Sequence, residues 1–355
     1  MTSWIPDRSA RAERGLVASR AQAGVSLADI VAARRRLRPH VVETPLALSD
    51  SLTALAGAPV WLKLEHRQRT GSFKLRGATN AVLALDKAEA ARGVVGVSTG
   101  NHGRGLAHAA RAAGLRCVIC LSRLVPANKI EAIRALGAEL RIVGESQDAA
   151  QAEAERLAKA EGLVMIPPFD HPAIIAGQGT IALEILDAAP MVGTVVVPVS
   201  GGGLISGIAR GIKGIKPDAR VIGVSMARGA AMHASLAAGK PVQVEELPTL
   251  ADSLGGGIGL DNRLTFAMVR ELVDELVLLS EAEIADGIRH AYWREQEIVE
   301  GAAAVGIAAL KAGRLSLEGE TVIVLSGRNI DMALHHRVIS GEDVEAADLK
   351  TRERS

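Results

Sequence analysis

The sequence predicts an α/β fold made of open, mostly parallel twisted sheets flanked by helices. From residue 93 onward, short apolar runs alternate with helical patterns, the arrangement of βαβ units with right-handed crossovers. Aromatic residues make up only 2% of the 355 residues, and the abundant small and aliphatic residues suit buried parallel strands. The break at Pro167 and Pro168, followed by a renewed βα pattern, predicts two lobes.

The predicted elements follow one another in a regular order. An apolar run at 60–65 predicts a strand, and the polar turn at 70–72 separates it from a helix that reaches Leu85. Further strands are predicted by apolar runs at 94–98, 116–121, 138–143, 163–166, 194–199, 220–225 and 320–325. Helices are predicted at 101–113, 126–136, 147–161, 174–188 and 204–212. Ser280 and Glu283 form a capping box that opens another long helix.

These patterns also predict the domain organisation. A large domain is expected to combine residues 1–92 and 171–340, with a small domain formed by residues 93–170 between them. Residues 341–355 are rich in charge and are expected to form a C-terminal tail.

Composition and charge exclude several classes of partner. The formal net charge of +1 gives no reason to expect nucleic acid or an anionic membrane surface as a partner. No apolar run approaches the length of a membrane-spanning helix, and residues 1–14 lack the apolar core of a secretory signal, so a cytoplasmic protein is expected. Cys117 and Cys120 share one apolar strand, which favours a reduced core pair over a redox or metal site.

Lys74 lies in the first turn of the helix that follows Gly71-Ser72-Phe73. A solvated surface lysine is the ordinary interpretation of such a position. A buried lysine with a lowered pKa can instead act as a nucleophile or form a Schiff base. The residues around Lys74 do not distinguish a surface lysine from a reactive one, so the choice depends on the other motifs in the chain.

The loop at 200–207 directly follows a predicted strand and opens a helix. Its three consecutive glycines allow a ligand to approach the backbone closely, and N–H groups at a helix start favour a phosphate. A dinucleotide site would need an acidic residue at the end of the next strand, and residues 221–226 contain none. A phosphate monoester therefore fits best, with a tight turn that binds nothing as the alternative.

Two more strand ends carry polar side chains. Residues 98–103 read Ser-Thr-Gly-Asn-His-Gly and join a strand to a helix, which is typical of a carboxylate or phosphate cradle or of a simple helix cap. His102 taken alone is more typical of a packing histidine. Ser326 follows the last predicted strand, at the sheet edge where open α/β folds bind ligands.

In their order along the chain, Lys74, residues 98–103, residues 200–207 and Ser326 resemble the motifs of the fold-type II pyridoxal-phosphate enzymes. Residues 176–180, Ala-Gly-Gln-Gly-Thr, followed by Glu184 are similar to the threonine dehydratase and serine racemase branch. Residues 63–68 and 251–262 look most like the hydroxyectoine-utilisation dehydratases. The resemblance covers about residues 38–335 and implies a two-lobed architecture like that of the tryptophan synthase β subunit.

The resemblance also implies pyridoxal 5′-phosphate as cofactor and a role for each motif. Lys74 would form the Schiff base, Phe73 would lie against the cofactor ring, and Asn101 would hydrogen-bond the ring hydroxyl. Ser326 would meet the pyridine nitrogen. The large domain would hold the phosphate through the backbone N–H groups of Gly201, Gly202, Gly203 and Leu204. The small domain would surround the substrate carboxylate with Ser98, Thr99, Gly100 and His102.

The reaction implied is α,β-elimination from a β-hydroxy-α-amino acid, which yields a 2-oxo acid and ammonia. Threonine, serine, 3-hydroxyaspartate and a hydroxyectoine-derived analogue are the candidate substrates. Lys74 and Thr99 are the catalytic candidates, with Lys74 removing the Cα proton. A homodimer or higher homo-oligomer is expected, and the chain has no room for the regulatory domain of biosynthetic threonine deaminases.

Alternative activities depend on the same loops. A racemase is the first alternative, because Thr99 keeps a hydroxyl where serine racemases carry a serine base. A pyridoxal-phosphate-binding protein without catalytic activity is the second, although all four motifs are intact. His102 favours the dehydratases over the synthases that use an external nucleophile. Ser225 and Ala231 stand where the cation site of the racemases has acidic residues, so no metal is expected.

Three departures from the family pattern bear on substrate choice. Phe169 replaces an asparagine, Arg328 replaces a glycine, and Arg67 stands where an apolar residue is common. An added arginine near the pocket could pair with a second substrate carboxylate, which would favour 3-hydroxyaspartate or a similar acidic substrate. The alternative is that Arg67 and Arg328 form structural salt bridges.

Overall fold

A computed structural model describes residues 3–6, 24–98, 100–123, 125 and 127–343. Its helices are α1 Leu27–Leu37, α2 Asp50–Ala56, α3 Lys74–Leu83, α4 Lys87–Arg92, α5 Asn101–Ala112, α6 Ala127–Arg134, α7 Gln147–Glu161, α8 Pro172–Ala188, α9 Gly203–Ile215, α10 Ala231–Ala238, α11 Thr265–Leu272, α12 Glu281–Trp293, α13 Gly301–Lys311 and α14 Met332–Ile339. Its strands are β1 Ser3–Trp4, β2 Leu46–Leu48, β3 Val60–Lys63, β4 Val94–Val97, β5 Cys117–Leu121, β6 Glu139–Ile142, β7 Val164–Met165, β8 Val192–Pro198, β9 Arg220–Met226, β10 Glu275–Leu279 and β11 Glu320–Val324. Short 3₁₀ turns span Glu65–Arg67 and Asp252–Leu254.

The strands form two sheets. The larger has seven strands in the order β1-β10-β9-β8-β11-β3-β2, and the smaller has four in the order β6-β5-β4-β7. Only the edge strands β1 and β2 of the described chain pair antiparallel, and the remaining pairs are parallel. The predicted α/β fold with mostly parallel sheets is confirmed.

The large sheet is covered by helices on both faces. Along β8, Val195 and Val197 pack with α8 and α9, whereas Val196 between them packs with α13 on the opposite face. This alternation is the period of a strand, and both faces are apolar because both are buried. The sheet therefore lies at the centre of two cores and is held rigidly.

The small sheet is built in the same way and settles the state of the two cysteines. Cys117 packs with α5 on one face of β5, and Cys120 packs with α7 on the other. Both thiols are free and buried, and burial raises the pKa of Cys117 to about 12 and that of Cys120 to about 11. A reduced core pair is what the sequence predicted.

Most predicted elements lie within a residue or two of the observed ones, and α7 has the predicted bounds. The predicted strand at 60–65 is too long, because the chain leaves the sheet after Lys63 and enters the 3₁₀ turn Glu65–Arg67. The capping box at Ser280 opens α12 as predicted. The sequence did not predict helices α1, α2, α4, α10, α11, α13 and α14 or strands β1, β2 and β10. Residues 344–355 of the expected C-terminal tail lie outside the described chain.

Within the described residues, no helix is both long and apolar enough to cross a membrane.

Candidate active site

Three neighbouring parallel strands of the large sheet end at the place where the predicted motifs meet. β3 precedes the turn to Lys74, β11 precedes Ser326, and β8 precedes the glycine loop. Parallel neighbours share a carboxyl edge, so these loops come together there. The Phe73 N–H donates to the Ser326 carbonyl at 3.0 Å, and Ser72 and Gly327 form an isolated antiparallel bridge. These bonds join the turn before Lys74 to the last strand.

Lys74 is a cation in an environment that disfavours charge. Its Nζ donates to the Pro168 carbonyl at 2.7 Å and lies 5.3 Å from the centroid of the Phe73 ring. Burial lowers the pKa of Lys74 to about 8, against the opposing effect of the Glu300 carboxylate. A carbonyl and a distant carboxylate leave the ammonium incompletely compensated, so the neutral, nucleophilic amine is accessible near neutral pH.

The glycine loop lies between Pro168-Phe169 and helix α9. A Cβ at Gly201 would come within 2.3 Å of the Phe169 ring, and one at Gly203 within 3.0 Å of the Phe169 backbone. Gly202 has a φ of +87°, and a side chain there would also meet Met232 at 2.8 Å. Only glycine fits at these three positions, which explains why the loop has three consecutive glycines. The first-turn N–H groups of α9, including that of Leu204, have no partner inside the helix and form a donor-rich concavity.

Helix α5 brings the third motif to the same place. It packs so closely on the Lys74 segment that a Cβ at Gly105 would lie 3.2 Å from the Lys74 backbone. Asn101, its first residue, donates from Nδ2 to Glu300 Oε1 at 2.8 Å. Asn101 Oδ1 accepts from Asn329 Nδ2 at 2.5 Å. The small and large sheets are therefore joined by hydrogen bonds beside Lys74.

Hydrogen bonds connect Arg104, Asn329, Asn101 and Glu300 in that order. The groups at the two ends determine which atom donates in each bond. Arg104 can only donate, so Asn329 Oδ1 is the acceptor of its Nη1 at 3.0 Å. Asn329 Nδ2 then donates both to Asn101 and to the Thr70 carbonyl, the latter at 3.0 Å. Asn101 must present Nδ2 to Glu300, and its second amide hydrogen is available for a further acceptor.

Glu300 is a functional candidate that the sequence interpretation missed. It is 3% exposed and occupies the N-cap position of α13 without a capping hydrogen bond from its side chain. Its carboxylate accepts from the Asn329 N–H at 3.1 Å and from Asn101. Burial and the nearby Asp252 raise the pKa of Glu300 to about 7, while its hydrogen bonds act in the opposite sense. An acidic residue directly before the long apolar stretch at 301–310 was the available sign of a buried helix cap.

His102 lies in the site but is held as a packing residue. Its Nε2 lies 2.9 Å from the Ile166 carbonyl, which can only accept, so this nitrogen carries the hydrogen. Burial and the neighbouring Lys74 lower the pKa of His102 to about 3, so the ring is neutral. A neutral imidazole whose donor is already used has no N–H left for a substrate carboxylate.

The predicted specificity residues lie in different environments. Arg67 forms a salt bridge with Glu297, which also accepts from His66 at 2.7 Å, and the Arg67 side chain is 49% exposed. This is the structural salt bridge foreseen as the alternative. Arg328 is exposed, although its backbone N–H donates to the Gly71 carbonyl at 2.9 Å. Phe169 covers the glycine loop.

The remaining predicted residues flank the same space. Ser326 is 3% exposed at the end of β11. Ser98 follows β4, and its Oγ accepts from the Gly100 N–H at 3.2 Å. Thr99 lies outside the described residues.

A separate ionic cluster lies behind Lys74. Arg76, on the inward face of α3, donates from Nε and Nη2 to Glu65 at 2.8 Å and from Nη1 to Glu184 at 2.5 Å. Lys63 completes the cluster by donating to Glu184 at 2.5 Å and to the Thr44 carbonyl at 2.6 Å. The four charged side chains are 7% exposed or less. Two cations face two carboxylates, so the buried charges balance.

The site fits pyridoxal phosphate on its own geometry. It combines a buried amine, a glycine cradle at a helix start and an amide whose free hydrogen has a fixed direction. The family model "Pyridoxal-phosphate dependent enzyme" matches residues 37–327. The chain belongs to this family. Its predicted cofactor and architecture are thereby confirmed.

Individual relatives show which branch of the pyridoxal-phosphate family this chain is similar to. A Sinorhizobium fredii protein provisionally named a threonine dehydratase is 61% identical over 89% of this chain and 96% of its own length. The L-threonine ammonia-lyase of Thermotoga maritima is 43% identical over 89% of this chain and 78% of its own. The solved structure of maize serine racemase has a TM-score of 0.84 at 32% identity, covering 89% of this chain and 97% of the racemase.

These relatives confirm the prediction of a pyridoxal-phosphate-dependent ammonia-lyase of the threonine dehydratase type. The link to hydroxyectoine utilisation stays a prediction.

Proposed function

We propose that this family member removes the amino and β-hydroxyl groups of a β-hydroxy-α-amino acid by α,β-elimination, with a 2-oxo acid and ammonia as products. Threonine, serine, 3-hydroxyaspartate and a hydroxyectoine-derived analogue define the substrate class. The observation that carries the proposal is the Lys74 amine, whose pKa is lowered to about 8 at the junction of the glycine loop and the Asn101–Glu300 pair.

The residues around Lys74 provide a place for each part of the cofactor. The N–H groups of Gly201, Gly202, Gly203 and Leu204 would hold the phosphate, and Phe73 would support the ring. Asn101 would donate its second amide hydrogen to the ring hydroxyl, and Ser326 would meet the ring nitrogen. When bound, pyridoxal phosphate supplies an electron sink for the pair left at the substrate Cα.

The protein's own task is to orient the substrate and move protons. Lys74 Nζ accepts the proton from Cα, and its lowered pKa keeps a fraction of the amine neutral near pH 8. Ser326 offers a hydroxyl in place of a carboxylate, which limits protonation of the ring nitrogen and favours prompt elimination. Ser98, Thr99 and Gly100 would orient the substrate carboxylate. The neutral His102 ring would support this loop from behind.

A racemase is the second candidate, supported by the similarity to maize serine racemase and by the hydroxyl of Thr99. Racemisation requires a base on each face of Cα, and in this candidate Lys74 would serve one face and the Thr99 hydroxyl the other. The two reactions leave different products, so one experiment distinguishes them.

We also infer the assembly and the setting of the enzyme. A large domain of residues 1–92 and 171–340 and a small domain of residues 93–170 are supported by the two sheets. A homodimer in the cytoplasm is supported by the family resemblance and by the free, buried cysteines. Light scattering of the purified holoenzyme measures the subunit number.

The activity is tested by incubating the holoenzyme with a panel of β-hydroxy-α-amino acids while ammonia, 2-oxo acid and substrate chirality are followed together. We expect equal amounts of ammonia and oxo acid. Loss of optical activity without ammonia would establish the racemase instead. A visible cofactor absorption band that disappears on borohydride reduction, with no turnover of any substrate, would support the non-catalytic alternative.

A further inference from the structure

We propose that Arg104 binds a second carboxylate on the substrate side chain and so directs the enzyme towards dicarboxylic β-hydroxy-α-amino acids such as 3-hydroxyaspartate. The inference rests on the proposed elimination activity and names the substrate class for that site. It gives the specificity role to a different arginine from the two that the sequence indicated.

Arg104 is positioned on α5 close to Asn101 and to the Lys74 segment. Arg104 lies one helical turn after Asn101, so both side chains share a face of α5. The next residue, Gly105, lies so close to the Lys74 segment that a Cβ there would come within 3.2 Å of the Lys74 backbone. Arg104 Nη1 bonds to Asn329 Oδ1 at 3.0 Å, and Asn329 bonds to Asn101 in turn. One side chain therefore separates the Arg104 guanidinium from Asn101.

Arg104 is incompletely paired within the protein. Burial lowers the pKa of this half-buried guanidinium, while Glu300 acts in the opposite sense. Glu300 is also the carboxylate that opposes burial at Lys74. Across the described residues, Arg104 has its hydrogen bond to Asn329 but no salt bridge. A guanidinium has five N–H donors, so most of its capacity is available to a ligand.

The two arginines that the sequence indicated, Arg67 and Arg328, differ from Arg104 in their surroundings. Arg67 already pairs with Glu297, and its charge is compensated. Arg328 is exposed. A cation that has no salt-bridge partner gains most from a substrate carboxylate, because forming the new pair then breaks no existing one.

The chemistry identifies the ligand class. A carboxylate can receive two parallel N–H bonds from a guanidinium, whereas the methyl group of threonine receives none. A dicarboxylic substrate also neutralises the cation that burial destabilises. Discrimination should therefore appear as a difference between two substrates and not as a general loss of activity.

The experiment measures kcat/KM of the holoenzyme for L-threonine and for 3-hydroxyaspartate in the wild type, Arg104→Gln and Arg104→Lys. Arg111→Gln is the matched control, since Arg111 is exposed and lies two turns further along α5. For Arg104→Gln, we expect kcat/KM for 3-hydroxyaspartate to fall at least about tenfold more than kcat/KM for threonine. Arg104→Lys should retain part of the selectivity, and the control should leave both values unchanged.

A binding measurement separates recognition from turnover. Calorimetry with succinate and with butyrate, neither of which can eliminate, should show that the wild type prefers the dicarboxylate and that Arg104→Gln loses this preference. Thermal denaturation and the cofactor absorption band establish that the variant is folded and loaded.

Three outcomes would overturn the inference. Equal loss on both substrates would make Arg104 a positioning residue for Asn101. Loss of dicarboxylate selectivity in Arg67→Gln or Arg328→Gln, but not in Arg104→Gln, would return the role to those arginines. Wild-type turnover of threonine with no preference for 3-hydroxyaspartate would remove this inference alone, whereas failure to eliminate from any substrate would remove the proposed function.

Discussion

Lys74 and Arg76 are two cations near the start of one helix, and their surroundings differ in how fully they compensate the charge. Arg76 lies between Glu65 and Glu184 and uses its guanidinium in both pairs. Lys74, two residues earlier, has a carbonyl as its hydrogen-bond partner and a carboxylate further away. The comparison shows how one helix supplies both a structural charge and a reactive one.

The difference is visible in the direction of each pKa. Burial would lower the pKa of both groups. At Arg76 the two carboxylates outweigh burial and raise the pKa above its usual value, whereas at Lys74 burial dominates and lowers the pKa to about 8. A compensated cation stabilises the fold in its charged form, and an undercompensated one is ready to lose its proton.

The sharpest test of the comparison is Lys74→Ala. Because Lys74 Nζ is the proposed proton acceptor, kcat should fall about a thousandfold or more, and the cofactor absorption band should change position. The unfolding temperature of the cofactor-free variant should not fall, since Lys74 makes no ion pair among the described residues. Activity close to that of the wild type would exclude Lys74 from the reaction.

Arg76→Met should have the opposite effect from Lys74→Ala. It should reduce the stability of the folded protein more than it reduces the catalytic rate. Removal of one partner from a buried ion pair costs about 3 to 5 kcal/mol. Among the described residues, Lys63 would then be the one cation left beside Glu65 and Glu184. Urea denaturation of the holoenzyme measures the loss, and Arg76→Lys is the matched control that retains a charge. An unchanged denaturation midpoint would contradict the structural role given to Arg76.

Glu300→Gln tests the carboxylate that links Lys74, Asn101 and Arg104. Its pKa of about 7 predicts an inflexion near pH 7 in the cofactor absorption and in kcat/KM of the wild type, which the variant should lack.

The folded-state pKa of Glu300 lies above that of an unfolded glutamate, so Glu300 favours folding at low pH and this contribution is lost as pH rises through 7. The unfolding temperature of Glu300→Gln relative to wild type should therefore increase between pH 5 and pH 8. An identical inflexion in both proteins would assign it to another group.

His102→Gln should have the smallest effect. The amide nitrogen of glutamine can replace Nε2 as donor to the Ile166 carbonyl, so kcat/KM should change by no more than about fivefold, equivalent to roughly 1 kcal/mol. A ring that is neutral down to a pKa of about 3 contributes no inflexion to the acid limb of the pH profile. Loss of an acid-limb inflexion in the variant would show that His102 carries a working proton.

Local patterns were sufficient for most of the fold. Strands of the buried sheets are continuous apolar runs, which identified them in the sequence. The loops between them were identified by their glycine and proline residues. Helix α13 was missed because residues 301–310 are apolar on all sides, with no polar face to give the period of an amphipathic helix. The 3₁₀ turn at Glu65–Arg67 was missed because the acidic Glu65, at 0% exposure, owes its burial to partners distant in sequence.

The sequence by itself determined the chemistry: the lysine, the glycine loop, the hydroxyl after the last strand and the asparagine at a helix start. Each of these is recognised from its local setting at a turn, a helix start or a strand end. The tertiary structure decided which charges are compensated. Arg67 forms a salt bridge with Glu297, which the sequence had left as the alternative to a role in substrate binding. Arg104 and Glu300 are connected through Asn329, 225 residues from Arg104 along the chain. Compensation depends on distances between segments that only the folded sheets bring together, so no local pattern could reveal it.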